Sequence, residues 1–151
     1  MKRFSLMTLV CMLADSSAFD TDVMTANVVV HDGVVGAALT AQAGDPAAGR
    51  KVFMNRKLGN CVACHANEDM SDQSFHGEVG PALDGVADRW EAAELRGIVV
   101  NSKMMFEGTI MPAFYKDDGF ERNLKKFQGK SILNAQQVED VVAYLLTLKE
   151  E

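Results

Sequence analysis

The sequence predicts a small all-α domain of three to four helices joined by long loops, with almost no strand. Three observations lead there. Val138, Val141, Val142, Leu145 and Leu146 recur at i, i+3, i+4, i+7 and i+8, the stripe that a helix lays against a core. Asp45-Pro46 is a helix-opening pair, because a carboxylate caps the first free N–H groups and proline fits the first turn. Between the periodic segments the chain is rich in Gly, Asp and Ser, the composition of loops. With 151 residues there is room for one domain, and no internal repeat or low-complexity tract divides it.

Residues 1–18 read as an export signal. Lys2 and Arg3 form its basic start, residues 4–14 its apolar stretch, and Ser16-Ser17-Ala18 its cleavage site. That stretch is 11 residues long, short of the roughly 18 to 20 that cross a bilayer. A retained N-terminal helix and a later cut after Ala43 are the alternatives, and Cys11, preceded by Val10, matches a lipid-attachment box poorly. Residues 19–43 carry Val28-Val29-Val30, Gly33 and Gly36 without a helical period, and read as an extended arm outside the core. The domain proper then spans 44–151. Its first helix runs from Pro46 to about Lys57, burying Val52 and Phe53, with Gly59 to end it. Residues 68–85 read as loop. A second helix covers about 90–100, with Leu95, Ile98 and Val99 on one face, and a short turn is expected near 124–127. The last helix opens at Asn134, with Gln137 three residues on, the spacing of a reciprocal cap.

Removing Lys2, Arg3 and Asp15 with the leader takes the formal charge from −6 to −7. So acidic a chain argues against nucleic acid or anionic lipid as partner, since both need clustered cations. It also keeps only Cys61 and Cys64, too few and too close for the disulfide framework of a small exported protein. So few apolar helical faces make a thin core for this much loop. A bulky apolar group at the centre would cure that.

Cys61-Val62-Ala63-Cys64-His65 supplies the means, as a C-x-x-C-H attachment sequence for c-type haem. On a helical turn residues i and i+3 project from one face, so both thiols reach the two vinyl groups on one porphyrin edge. His65 then follows as the proximal iron ligand. A thioredoxin-like pair would need a β-α-β context, and a zinc site would need further paired ligands, which His31 and His76 do not form. For the sixth ligand Met111 is the foremost candidate among nine methionines. Pro112 pushes it into extended backbone and Ile110 and Ala113 flank it. Met104, Met105 and His76 are its rivals. A neutral thioether favours ferrous iron, and two filled axial positions leave outer-sphere electron transfer as the role. Arg89 and Trp90 read equally as contacts to a haem carboxylate and as ordinary surface and packing residues.

C-x-x-C-H, then Gly80-Pro81-Ala82-Leu83-Asp84-Gly85, then Ile110-Met111-Pro112, then a C-terminal helix with Tyr144, resemble a class I cytochrome c. The resemblance implies one covalently bound haem c. It also implies crossing terminal helices that meet through Gly49, Phe53 and Tyr144. The Pro81 carbonyl would accept from His65 and Leu83 would pack on the haem. More closely, GDPAAGRKVF, RKLGNCVACH, TIMPAFY and FQGKSILNAQQVEDVVAYLLTLK resemble the SoxX family of monohaem subunits, over about residues 28–149.

That likeness implies a periplasmic protein paired with a SoxA-like cytochrome of one or two haems. The SoxAX complex oxidatively joins thiosulfate to a cysteine of the SoxYZ carrier, as an L-cysteine S-thiosulfotransferase. The present chain would take up the released electrons and pass them to a soluble acceptor cytochrome, with the sulfur chemistry on the partner. Residues 28–43 would be free to wrap that partner. A free-standing electron shuttle is the alternative, and a haem sensor with an open iron position is the third reading.

Overall fold

The structure, a computed structural model, describes residues 22–150; the expected leader, including Cys11, lies outside the described residues. Among the described residues there are four α-helices: α1 Pro46–Met54, α2 Val86–Arg89, α3 Ala92–Asn101 and α4 Ala135–Leu145. Single 3₁₀ turns punctuate the loops, among them Lys125–Phe127 where a turn was expected. The one β contact among the described residues is an isolated bridge between His31 and Val34. The all-α expectation therefore holds.

The cap signals act as read. The Asp45 carboxylate accepts from the Ala47 N–H at 2.9 Å with Pro46 at the first helical position. At α4 the Asn134 side chain accepts from Gln137 N–H at 2.8 Å while the Gln137 side chain accepts from Asn134 N–H at 3.0 Å. Two boundaries differ. Helix α1 stops at Met54 rather than near Lys57, because Asn55 Oδ1 accepts from Lys57 N–H at 2.9 Å and draws the backbone into a turn. Gly59 is thus not the terminator. The expected second helix, about 90–100, is α3, which opens two residues later because the backbone of Trp90 is extended; the short helix α2 just before it was not expected. A cap at Glu91 starts α3, since the Glu94 side chain accepts from the Glu91 N–H at 2.8 Å.

Helices α1 and α4 cross face to face, with Phe53 meeting Tyr144 edge-on at a ring separation of 5.4 Å. Val138, Val141, Val142 and Leu145 of α4 are all buried in one core with Val52, Phe53, Leu95 and Val99. Helix α3 packs on the other flank of α4.

The described part of the N-terminal arm corrects the expectation that it stands outside the core. Its backbone is largely extended, but Val35 and Leu39 are among the most deeply buried side chains of the molecule. Val35 N–H donates to Ala93 O at 3.1 Å, and Val23 N–H donates to Leu39 O at 2.7 Å. A buried ion pair completes the anchorage. Arg96 Nε and Nη2 donate to the two Glu139 carboxylate oxygens at 2.7 and 3.0 Å. The remaining Arg96 Nη1 donates to Val35 O at 2.9 Å, and Leu39 N–H donates to Glu139 Oε1 at 2.8 Å. One arginine and one glutamate thus tie the arm, α3 and α4 together. Local pattern could not show this, because the partners lie 43 to 100 residues apart.

Glu139→Ala should therefore cost about 3–5 kcal/mol, since it strands a buried guanidinium and a buried amide. Urea unfolding measures it. A loss below about 1 kcal/mol, the scale of an exposed pair, would show that the arm is not held in this way.

Candidate haem-binding site

Asn60 sets the approach to the cysteines by adopting the left-handed conformation (φ 49°), which asparagine tolerates better than most residues. The chain then closes a 3₁₀ turn over Cys61–Ala63, with Cys64 N–H and His65 N–H both donating to Cys61 O at 3.0 Å. In 3₁₀ geometry residues i and i+3 eclipse, so Cys61 and Cys64 lie on one side of the turn, as their spacing requires. Val62 is buried and roots the turn in the core. Both cysteines are unpaired and half-buried.

His65 points its Nδ1 at the Pro81 carbonyl, 2.7 Å away. A carbonyl can only accept, so Nδ1 carries the proton and Nε2 is left with a free lone pair. The opposing loop is built to hold that carbonyl. Gly80 N–H donates to Cys64 O at 2.8 Å, Leu83 N–H to Ala66 O at 3.0 Å, and Glu68 N–H to Asp84 Oδ1 at 2.8 Å. Gly80 lies so close to the imidazole that a Cβ there would fall 2.3 Å from His65 Cε1, so only glycine fits. Arg89 closes the loop from beyond, donating to Asp84 O at 2.7 Å and Ala82 O at 3.0 Å. That backbone clamp was not legible in the sequence. Trp90 packs edge-on against Phe106.

Met111 is half-buried and packs against the main core, as do Leu83 and Cys61. Its rival Met104 is exposed. His76 is occupied on both ring nitrogens, Nδ1 accepting from Asn67 N–H at 3.1 Å and Nε2 donating to Met70 O at 2.9 Å. It has no lone pair left for a metal. Among the described residues no three His, Cys, Asp or Glu side chains cluster as a metal site.

A network below the His65 turn has no counterpart in the sequence reading. The Tyr144 hydroxyl donates to Asp69 Oδ2 at 2.7 Å and accepts from Asn67 Nδ2 at 2.8 Å. Arg50 on α1 bonds Asp69 and Asp72. Burial and then the Asp69 carboxylate push the Tyr144 phenol well above its usual range, so it remains a donor. The network ties the 67–72 loop to the α1–α4 crossing.

The donors fit a c-type haem: two unpaired thiols on one side of a turn, an imidazole with one committed and one free nitrogen, and a thioether on a separate loop. Burial pushes the Cys61 thiol up to about 12. In the haem-free chain its alkylation should then rise about tenfold per pH unit between pH 7 and 11, as its thiolate does. Peptide mapping of labelled Cys61 measures this. A rate that levels off below pH 9 would contradict such burial.

A cytochrome c family model matches residues 46–149. The chain belongs to the cytochrome c family, a family defined by covalently attached haem c. More narrowly, it is similar to a chain in the crystal structure of SoxXA from P. pantotrophus, at 51% identity and a TM-score of 0.81, covering 86% of this chain and 100% of that one. The likeness to the SoxX family is thereby upheld. The c-type cytochrome SorU from Sinorhizobium meliloti matches at 26% identity over 70% of this chain and 92% of its own, with a TM-score of 0.45. Ferric cytochrome c-550 from Paracoccus versutus matches at 21% identity over 70% and 98%, with a TM-score of 0.39. No curated protein sequence matches the chain.

Proposed function

We propose that this chain is the monohaem electron-transfer subunit of a SoxXA-type complex that oxidises thiosulfate. The observation that carries the reading is the 51% identity to a SoxXA chain over that chain's whole length. Bound haem supplies a single iron that takes up and releases one electron at a time. Cys61 and Cys64 would hold it through two thioethers. His65 would offer Nε2 to the iron, and the Pro81 carbonyl on Nδ1 fixes the ring's orientation. Met111 would offer sulfur from the other loop, and Leu83 would pack on the porphyrin. A neutral thioether raises the potential relative to a second imidazole, which suits a subunit that receives electrons.

This division of labour leaves the sulfur chemistry elsewhere, because both cysteines are committed to attachment. The partner is a SoxA-like cytochrome, the thiosulfate acceptor a SoxYZ-like carrier cysteine, and the outlet a soluble cytochrome, all in the periplasm after removal of residues 1–18. Among the described residues no helix is long and apolar enough to cross a membrane.

Purification from the native host tests the reading. The expected product is a chain heavier by one haem that elutes with a larger haem protein and is reduced when thiosulfate and the carrier are added. A haem-bearing chain that elutes alone and is not reduced would favour the free shuttle. A chain lacking the added mass would overturn both.

A further inference from the structure

We infer that Ser102 is the positioning residue for Met111, holding its backbone against the end of α3; this deepens the reading of Met111 as an axial ligand and rests on it. A helix leaves its last carbonyls without partners. Here the segment that follows Met111 supplies them, with Phe114 N–H donating to Val99 O at 3.3 Å and Tyr115 N–H to Val100 O at 3.2 Å. Immediately beyond the helix, Ser102 Oγ donates to Met111 O at 3.2 Å. Lys103 Nζ reaches the same oxygen at 2.5 Å, and Met111 N–H donates to Thr109 Oγ1 at 3.2 Å.

The two donors to Met111 O are not equivalent. Ser102 is fully buried, whereas Lys103 is exposed, so water competes only with the lysine. Pro112 adds to the serine's leverage. It has no N–H and a fixed φ, so the Met111–Pro112 peptide is oriented through the Met111 carbonyl alone. Rotating that carbonyl swings the whole side chain. Methionine has three soft side-chain torsions, and a backbone held in place removes part of the entropy that ligation would otherwise cost.

The test uses the haem-loaded protein with Ser102→Ala, Ser102→Thr and Met111→Ala. An added ligand such as imidazole can bind ferric iron only when Met111 has let go, so its apparent affinity reports the detached population. Losing one net hydrogen bond should raise that population, and the imidazole affinity, about fivefold in Ser102→Ala. Ser102→Thr, which keeps the hydroxyl, should restore the parent value. Urea midpoints taken alongside separate a general loss of stability from a ligation effect. Equal imidazole affinity in the parent and Ser102→Ala would overturn the inference, whatever happens to the midpoint. Equal affinity in the parent and Met111→Ala would instead overturn the assignment of Met111 itself.

Discussion

Met111→Ala should leave the haem attached, because both thioethers are untouched, while lowering the reduction potential and opening the iron to added ligands. The direction follows from ligand chemistry. A thioether stabilises ferrous iron, and water or hydroxide in its place favours ferric. Axial ligation spans roughly 0.8 V among haem proteins, so replacing one partner is a first-order change. The near-infrared charge-transfer band of a thioether bound to ferric haem should vanish, and carbon monoxide should bind the reduced form readily. A fall in potential of less than about 60 mV, a factor of ten for a one-electron couple, would mean that Met111 is not the ligand. The competing side chains have uneven claims. His76 has both nitrogens engaged and Met104 is exposed, whereas Met111 is packed on the core beside a proline.

The second large effect is expected at Gly49, where two helices touch backbone to backbone. A Cβ there would lie 1.9 Å from Asp140 O and 2.9 Å from Tyr144 Cβ, and neither can yield without moving α4. Helix propensity pulls the other way, since alanine is better than glycine within a helix by about 1 kcal/mol. Overpacking wins. Forcing the helices apart costs typically 1–3 kcal/mol and more for a larger side chain, and here it also separates Phe53 from Tyr144 and strains the Tyr144 bonds to Asn67 and Asp69. Gly49→Ala should lose about 2 kcal/mol and Gly49→Val about 3 kcal/mol or more, out of a total of about 5–15 kcal/mol. Gly36→Ala is the control, because nothing lies within 4 Å of its Cβ position. Thermal melts of the three variants give the comparison. A Gly49→Ala protein as stable as its parent would show that the helices do not cross at this residue.

Much of the fold was legible because short-range physics specifies it. Caps at Asp45 and Asn134 act over two or three residues, and the α4 stripe repeats within a dozen. The attachment pattern is equally local, since eclipsed cysteines and an adjacent imidazole need only one turn. The early end of α1 was missed because a competing side-chain bond, not propensity, decides it, and α2, at four residues, is too short to show a period.

By itself, then, the chain determined its helices, its attachment turn and the identity of its candidate ligands, all of which depend on residues near one another. Only the tertiary structure decided where the N-terminal arm goes, and it went into the core. It also decided that Arg89 clamps the loop of Pro81 and that Ser102 seats Met111. Those outcomes depend on which carbonyls and carboxylates are left without partners once the helices have packed, whether five to nine residues away, as for Arg89 and Ser102, or up to 100, as for the arm. An extended segment such as 35–39 has no periodicity of its own to announce its burial. Its place is set by Arg96 and Glu139, whose charges become buried only because the arm satisfies what remains of their hydrogen-bonding capacity.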